Sequence, residues 1–245
     1  MIEYKIIKPC KELEGYIHFF WELKGGDYKV QWERVYPDGC TGRLINMGNN
    51  CLTDNGSISM AFGKTYIVGA MNSYKDSFID AGTHLLGVCL KPAALANFYT
   101  YAPQNELTNE TVEFEKSNSF NVDKIKINPF TYFDSFFSKR SKNRSNPLQP
   151  IINDIASDKG QMSIYELSKK NCITVRQLER HFKKYIGLSP KEYSNIIRFQ
   201  NALSLIQKPN QNRSLSDIAF ECGYYDHSHL VNEIKRNTGL PPSLL

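Results

Sequence analysis

One pattern occurs twice in this chain, and it confines the C-terminal part to a duplicated helical unit. Ser163-Ile164-x-Glu166-Leu167 returns 51 residues on as Ser214-Leu215-x-Asp217-Ile218. Leu178-x-x-x-Phe182-Lys183-x-x-x-Gly187-Leu188-x-Pro190 returns 52 residues on as Leu230-x-x-x-Ile234-Lys235-x-x-x-Gly239-Leu240-x-Pro242. The one-residue slip falls between the two halves of the unit, in a turn, where an added residue is tolerated better than inside a helix.

Each copy has two short amphipathic stretches. In the first copy Leu178, Phe182 and Tyr185/Ile186 form one apolar stripe of a helix, while Arg176, Glu179, Arg180 and Lys183 occupy the opposite face. Thr174 is placed to cap the first turn, and Gly187 to close the last, because glycine adopts the left-handed conformation cheaply. Upstream, Ser163 caps the segment IYELSKK, and Asn171-Cys172-Ile173 makes the turn between them. Two short helices across a tight turn, the second carrying exposed arginines, is the helix-turn-helix arrangement that lays one helix in the DNA major groove. Between the copies, Ser189 caps and Pro190 starts a longer helix reaching Ile206, with Tyr193, Ile196/Ile197, Leu203 and Ile206 facing inward. A helix of that length is roughly 25 Å long, a rod that can hold two reading helices in major grooves about 34 Å apart.

Charge agrees with this division. Residues 151–245 hold 13 basic and 9 acidic side chains, and residues 1–150 hold 17 and 16. The positive excess belongs to the C-terminal part, where neutralising phosphates supplies non-specific affinity for nucleic acid. Aromatic residues divide the other way, 22 before residue 151 and 8 after it, which suits a β-rich, ligand-enclosing N-terminal half.

That half reads as short strands between turn residues: Tyr28, Val30, Trp32 and Val35 before Pro37-Asp38-Gly39, then residues 43–47, 58–62, 66–70, 77–80 and 85–90. The rhythm suggests a barrel or sandwich. Residues 4–21 are open to either a helical or an extended reading. Pro92 fits a first helical position, with a short helix through Leu95 and Tyr99. Residues 129–140 place Phe130, Phe133, Phe136 and Phe137 at helical spacing, a stripe for the core or for a dimer. Residues 138–146 are polar and basic without periodicity and read as a tether. The expected organisation is therefore α+β: a β-rich sensing or dimerising domain with accessory helices (residues 1–137), a linker (138–149), and an all-α domain of two helix-turn-helix units joined by a long helix (150–245).

The C-terminal domain resembles the DNA-binding domain of the AraC/XylS-type bacterial transcription regulators. The resemblance rests on the first motif, on Gly187-Leu188-Ser189-Pro190-Lys191-Glu192-Tyr193, and on Ser214-x-x-Asp217-Ile218-Ala219-x-x-x-Gly223-Tyr224-x-Asp226-x-Ser228-His229 with Gly239-x-x-Pro242. The Pro37-Asp38-Gly39-Cys40 turn and the passage Gly87-Val88-x-Leu90-x-Pro92 are similar, more loosely, to sensing domains of some members. Carried over position by position, the groove-facing residues are Arg176, Glu179 and Arg180 in the first reading helix and His227, Ser228, Val231 and Asn232 in the second. Lys183, Lys184, Lys235 and Arg236 fall to phosphate contact. Asn232 stands where the family usually has arginine, so the second reading helix has one cation fewer. The resemblance implies a sequence-specific, cytoplasmic transcription regulator with double-stranded DNA as partner, and RNA polymerase, a small-molecule effector and a second copy as further partners.

Six cysteines, Cys10, Cys40, Cys51, Cys89, Cys172 and Cys222, show no Cys-x-x-Cys pair and read as buried free thiols. A cupin-like metal or catalytic barrel attached to a DNA module is the alternative, yet the N-terminal half offers only His18 and His84, far apart in sequence. No phosphate loop, nucleophile elbow or zinc-spaced cysteine group appears, so the expectation is no enzyme, no cofactor, no metal ligand and no catalytic residue. No run approaches a membrane span, and the N-terminus lacks the pattern of a signal peptide.

Overall fold

A computed structural model describes residues 2–26, 31–99, 103–142, 146–208 and 213–245. Tyr28 and Val30 of the strand expected before Pro37 lie outside these residues, as do three residues of the expected tether. The N-terminal half contains β1 (Glu3–Ile7), β2 (Ile17–Lys24), β3 (Gln31–Val35), β4 (Thr41–Asn46), β5 (Cys51–Thr53), β6 (Ile58–Met60), β7 (Thr65–Val68), β8 (Lys75–Ile79), β9 (His84–Leu90) and β10 (Thr111–Glu113). Six strands form an antiparallel sheet in the order β1-β2-β9-β4-β7-β10, while β3 with β8 and β5 with β6 make two small ribbons.

Side chains alternate across the large sheet, as a period of two requires. Phe20, Ile45, Ile67 and Leu86 point to one face and pack with Phe133 and Phe137 of α3 (Pro129–Ser138). Trp21, Leu23, Leu44 and Leu85 point to the other, toward Met60 and Tyr66. Gly87 lies beneath Trp21, where a Cβ would come within 2.4 Å of the indole ring, so no larger residue fits there.

The stripe on α3 belongs to the core. Phe133, Phe136 and Phe137 are buried, and Phe120 stacks its edge on Phe136 with ring centres 5.0 Å apart. Asn128 caps the helix by accepting from the Thr131 amide, with Pro129 in the first turn. Arg43, fully buried, carries its guanidinium into this layer, 4.5 Å from the centres of Phe114 and Phe120 and 4.6 Å from Tyr99. Burial, and then the nearby Arg140, lower its pKa to about 9. The cation therefore persists at neutral pH, held by aromatic faces and by the Asn118 carbonyl.

One open reading is resolved, one expected helix start is corrected, and three elements are added. Residues 4–21 are extended at both ends, as β1 and β2, with a 3-10 turn at Lys11–Leu13. The helix expected from Pro92 starts later, as α1 (Leu95–Phe98), because Ala93 has a positive φ of 63° that no helix accepts. β5, β10 and α2 (Val122–Ile127) lie in stretches that the sequence left unassigned.

The C-terminal half is helical: α4 (Gln149–Ser157), α5 (Ile164–Lys170), α6 (Val175–Tyr185), α7 (Pro190–Ile206), α8 (Leu215–Glu221) and α9 (His227–Thr238). Two cores share one rod. Tyr193 and Ile196 of α7 pack with Leu167, Leu178 and Phe182, whereas Phe199, Ala202 and Leu203 pack with Ile218, Leu230 and Ile234. Ser163, Thr174, Ser189 and Ser214 each close a capping box with Glu166, Gln177, Glu192 and Asp217, satisfying amides that a helix start leaves without partners. The duplicated sequence thus encodes duplicated caps as well as a duplicated core.

Candidate nucleic-acid interface

α6 and α9 bury the same positions. Leu178 and Phe182 in α6, and Leu230 and Ile234 in α9, are wholly inaccessible. Their outer faces differ in chemistry. Arg176, Arg180 and Lys184 are exposed on α6, with Glu179 and Lys183 half-buried beside them. On α9, His227, Ser228, Asn232, Lys235 and Arg236 are exposed and Val231 is half-buried. The eleven positions singled out from the sequence therefore lie on two solvent-facing surfaces, each on the second helix of a helix-turn-helix pair.

The cations on these faces are not equally available. Lys183 Nζ lies 3.1 Å from Glu192 Oε2, on the cap of α7, rather than pairing with Glu179. Burial alone would raise the Glu192 pKa. Bonds from the Ser189 amide and hydroxyl and from Lys183 outweigh it and hold the carboxyl at about 2. Arg236 pairs with Glu233 at 3.1 Å. Among the described residues Arg176, Arg180, Lys184 and Lys235 form no ion pair.

Both helices are held at their C-terminal ends by the β-domain. Thr108 Oγ1 donates to the Gly187 carbonyl, 2.8 Å away, just beyond α6. Arg34 Nη1 donates to the Thr238 carbonyl at 2.8 Å, the last residue of α9. A cation at a helix C-terminus is favourably placed in the helix dipole. Arg34 is itself clamped by two 2.7 Å bonds to Asp76 and lies 4.1 Å over the Tyr74 ring. Between these contacts, Gln200 of α7 donates to the Pro37 carbonyl at 2.6 Å, and Tyr36 meets Phe199 edge-on at 6.5 Å. The turn holding Pro37 and Asp38 therefore touches the rod that carries both outward helices. None of the contacts between the β-domain and these helices follows from local sequence, since the partners are separated by 79 to 204 positions.

Between the large sheet and the two ribbons lies a cavity of about 240 Å³. Tyr4, Trp21, Leu44, Met60 and Ile79 supply apolar wall, and a Lys75–Asp54 ion pair at 2.7 Å marks one polar side. Asp38, Cys40 and Cys89 form another, their ligand-type atoms all within 4.8 Å of one another. The Asp38 carboxyl is open to the cavity yet surrounded by protein. Burial raises its pKa, against the Cys40 amide and the His18 charge, which lower it. The thiol reading holds for Cys51, Cys89 and Cys222, which are buried, and fails for Cys172, which is exposed.

Residues 167–245 match a protein family described as a helix-turn-helix domain, and residues 5–113 match one described as a domain of unknown function (DUF6597). The HTH-type transcriptional activator RhaS of Klebsiella pneumoniae (strain 342) is 31% identical over 77 residues, covering 31% of this chain and 27% of RhaS. RhaS of Escherichia coli (strain SE11) is 27% identical over 104 residues, 42% of this chain and 36% of that protein. The match thus spans about a third of the length of these curated relatives. Among solved structures, ToxT from Vibrio cholerae is similar over 99% of this chain and 97% of ToxT, with a TM-score of 0.53 at 11% identity. A ToxT structure with a bound unsaturated fatty acid gives a TM-score of 0.51 at 13% identity, over 100% and 93% of the two chains. At these identities the likeness is one of fold: a β-rich domain followed by paired helix-turn-helix units.

Proposed function

Taking the C-terminal domain as a helix-turn-helix domain of the AraC/XylS type, we propose that this chain is a sequence-specific DNA-binding transcription regulator whose β-domain controls it. The observation that carries the reading is the pair α6 and α9: two capped helices from one duplicated sequence, mounted on one rod, each with an apolar inner and a polar outer face. In this reading Arg176 and Arg180 grip guanine edges, Asn232 pairs with adenine, and Glu179 accepts from cytosine. His227, Ser228 and Val231 make the remaining groove contacts. Lys184, Lys235 and Arg236 neutralise phosphates, and Lys183 does so by exchanging Glu192 for DNA.

The working division is a sensing domain (residues 1–137), a connecting stretch (138–149) and a DNA-binding domain (150–245). The cavity supports control by a small molecule, in line with the fatty acid held by ToxT. Such a ligand acts by favouring one arrangement of the two domains over another. RNA polymerase and a second copy of the chain are the further partners of this reading, and the cytoplasm is its compartment. Among the described residues no helix is long and apolar enough to cross a membrane. The test is selection of bound sequences from random duplexes by the full chain. The reading expects a motif in two parts, and a pool left unenriched in any sequence would refute it.

A further inference from the structure

We propose that Asp38, Cys40 and Cys89 form a binding site for a borderline-soft divalent cation of the zinc class, at the seam between the β-domain and α7. The strands bring these residues together. Thr41 pairs with Leu90 and Gly42 with Cys89 across β4 and β9, so Cys40 stands diagonally from Cys89 on the same face. Asp38 reaches the same point from the turn before β4, where its Oδ1 accepts from the Cys40 amide at 2.8 Å. Its second oxygen, Oδ2, lies 4.0 Å from Cys89 Sγ.

The dimensions suit the ion. Zinc bonds of about 2.3 Å to sulfur and about 2.0–2.2 Å to oxygen set tetrahedral edges of about 3.5–3.8 Å. The trio, spread over no more than 4.8 Å, needs only a small closure to reach them. Two thiolates with one carboxylate favour zinc-class ions over magnesium or calcium, which take oxygen donors alone. All three residues line the cavity, leaving the fourth coordination position to water or a ligand there.

The site's place in the fold gives it a regulatory direction. Gly39, between two of the donors, lies so close to Tyr193 of α7 that a Cβ would come within 2.6 Å of its ring, and its φ of 76° shows a turn only glycine makes easily. Pro37 accepts from Gln200 of the same helix. Drawing Asp38 and Cys40 toward Cys89 therefore acts on the turn that supports the rod, and through it on both outward helices. That consequence rests on the DNA-binding reading; the metal site does not.

The test uses the purified, metal-free full chain and Co²⁺ alone as a spectroscopic probe. The expected result is a thiolate-to-cobalt charge-transfer absorption that saturates at one equivalent. Affinity should fall by about tenfold or more in C40S, C89S and D38N, and stay unchanged in C51S and C222S. Absence of the band in the parent chain, or wild-type affinity in C40S and C89S, would overturn the proposal. A measurement without variants guards against misfolding: Zn²⁺ should protect Cys40 and Cys89 from alkylation, read by peptide mass spectrometry, while exposed Cys172 reacts regardless. Equal alkylation of Cys40 and Cys89 with and without Zn²⁺ would equally sink it. Neither readout involves DNA, so failure here and failure of the regulator reading are separable.

Discussion

An arginine and a lysine on the same helix face do different work when the partner is a duplex. Arg180 is exposed and presents a planar fork that fits guanine, whereas Lys184, about one helical turn further on, is a point charge. Arg180→Ala should cost about 1–3 kcal/mol on the selected sequence and relax the choice at one base. Lys184→Ala should weaken all duplexes alike and reduce the salt slope by about one. Competition binding against random DNA at several salt concentrations separates the two; identical profiles would void the role assignment. Asn232 should leave the downstream half-site the less discriminating of the two, which weaker enrichment at its positions would show. Ser189 was legible as the cap of α7, but the pairing of its capping-box partner Glu192 with Lys183 crosses the turn between α6 and α7 and has no local signature. With a folded pKa of about 2, below its ordinary 4.5, its contribution is complete above pH 4.5 and lost as the pH falls toward 2. Because the carboxylate is more than a third exposed, solvent screening limits that contribution to about 1 kcal/mol. Glu192→Gln should flatten this part of the stability profile, measured by denaturant melts between pH 5 and 2.5 (about the accessible range).

At the scale of elements, the helices of the C-terminal half were readable, and the strands and short helices of the N-terminal half only partly so. Caps, apolar stripes and closing glycines are local chemistry; α6 and α9 carry all three, and α7 carries a cap and a stripe. β5 and β10 have three residues each, too few for a period of two to show, and β10 also pairs with β7, which lies far back along the chain. Arg43 illustrates the same gap: its place in an aromatic cage comes from packing of α3 and the Phe114–Phe120 segment on the sheet, not from its own strand. The grip of the β-domain on α9 predicts two outcomes. Gly239→Ala meets both a positive φ of 70° and atoms of Arg34 and Tyr74 within 2.9 Å of the new Cβ. The left-handed conformation alone should cost about 1–2 kcal/mol, lowering Tm by about 2–4 °C per kcal/mol. Arg34→Ala removes the bond to Thr238 and should speed hydrogen exchange in the last turn of α9 while leaving α5 unchanged. Unaltered exchange at that turn would show that the contact does not tether the helix.

For the whole molecule the decisive property is that one helix belongs to two cores. Tyr193 and Ile196 lock the first unit to α7, and Phe199, Ala202 and Leu203 lock the second, so the outward faces of α6 and α9 keep a fixed spacing. The duplicated sequence made that arrangement legible before any coordinates. The β-domain's contacts with both helix ends were not, because they join residues 79 and 204 positions apart. A rigid pair of readers requires a duplex with its half-sites at one spacing, about one helical turn apart on one face. The direct measurement is the affinity of the full chain for its selected site as base pairs are inserted between the half-sites. Five extra pairs, about half a turn, should reduce binding to that of a single half-site; affinity that is indifferent to the insertion would contradict the account.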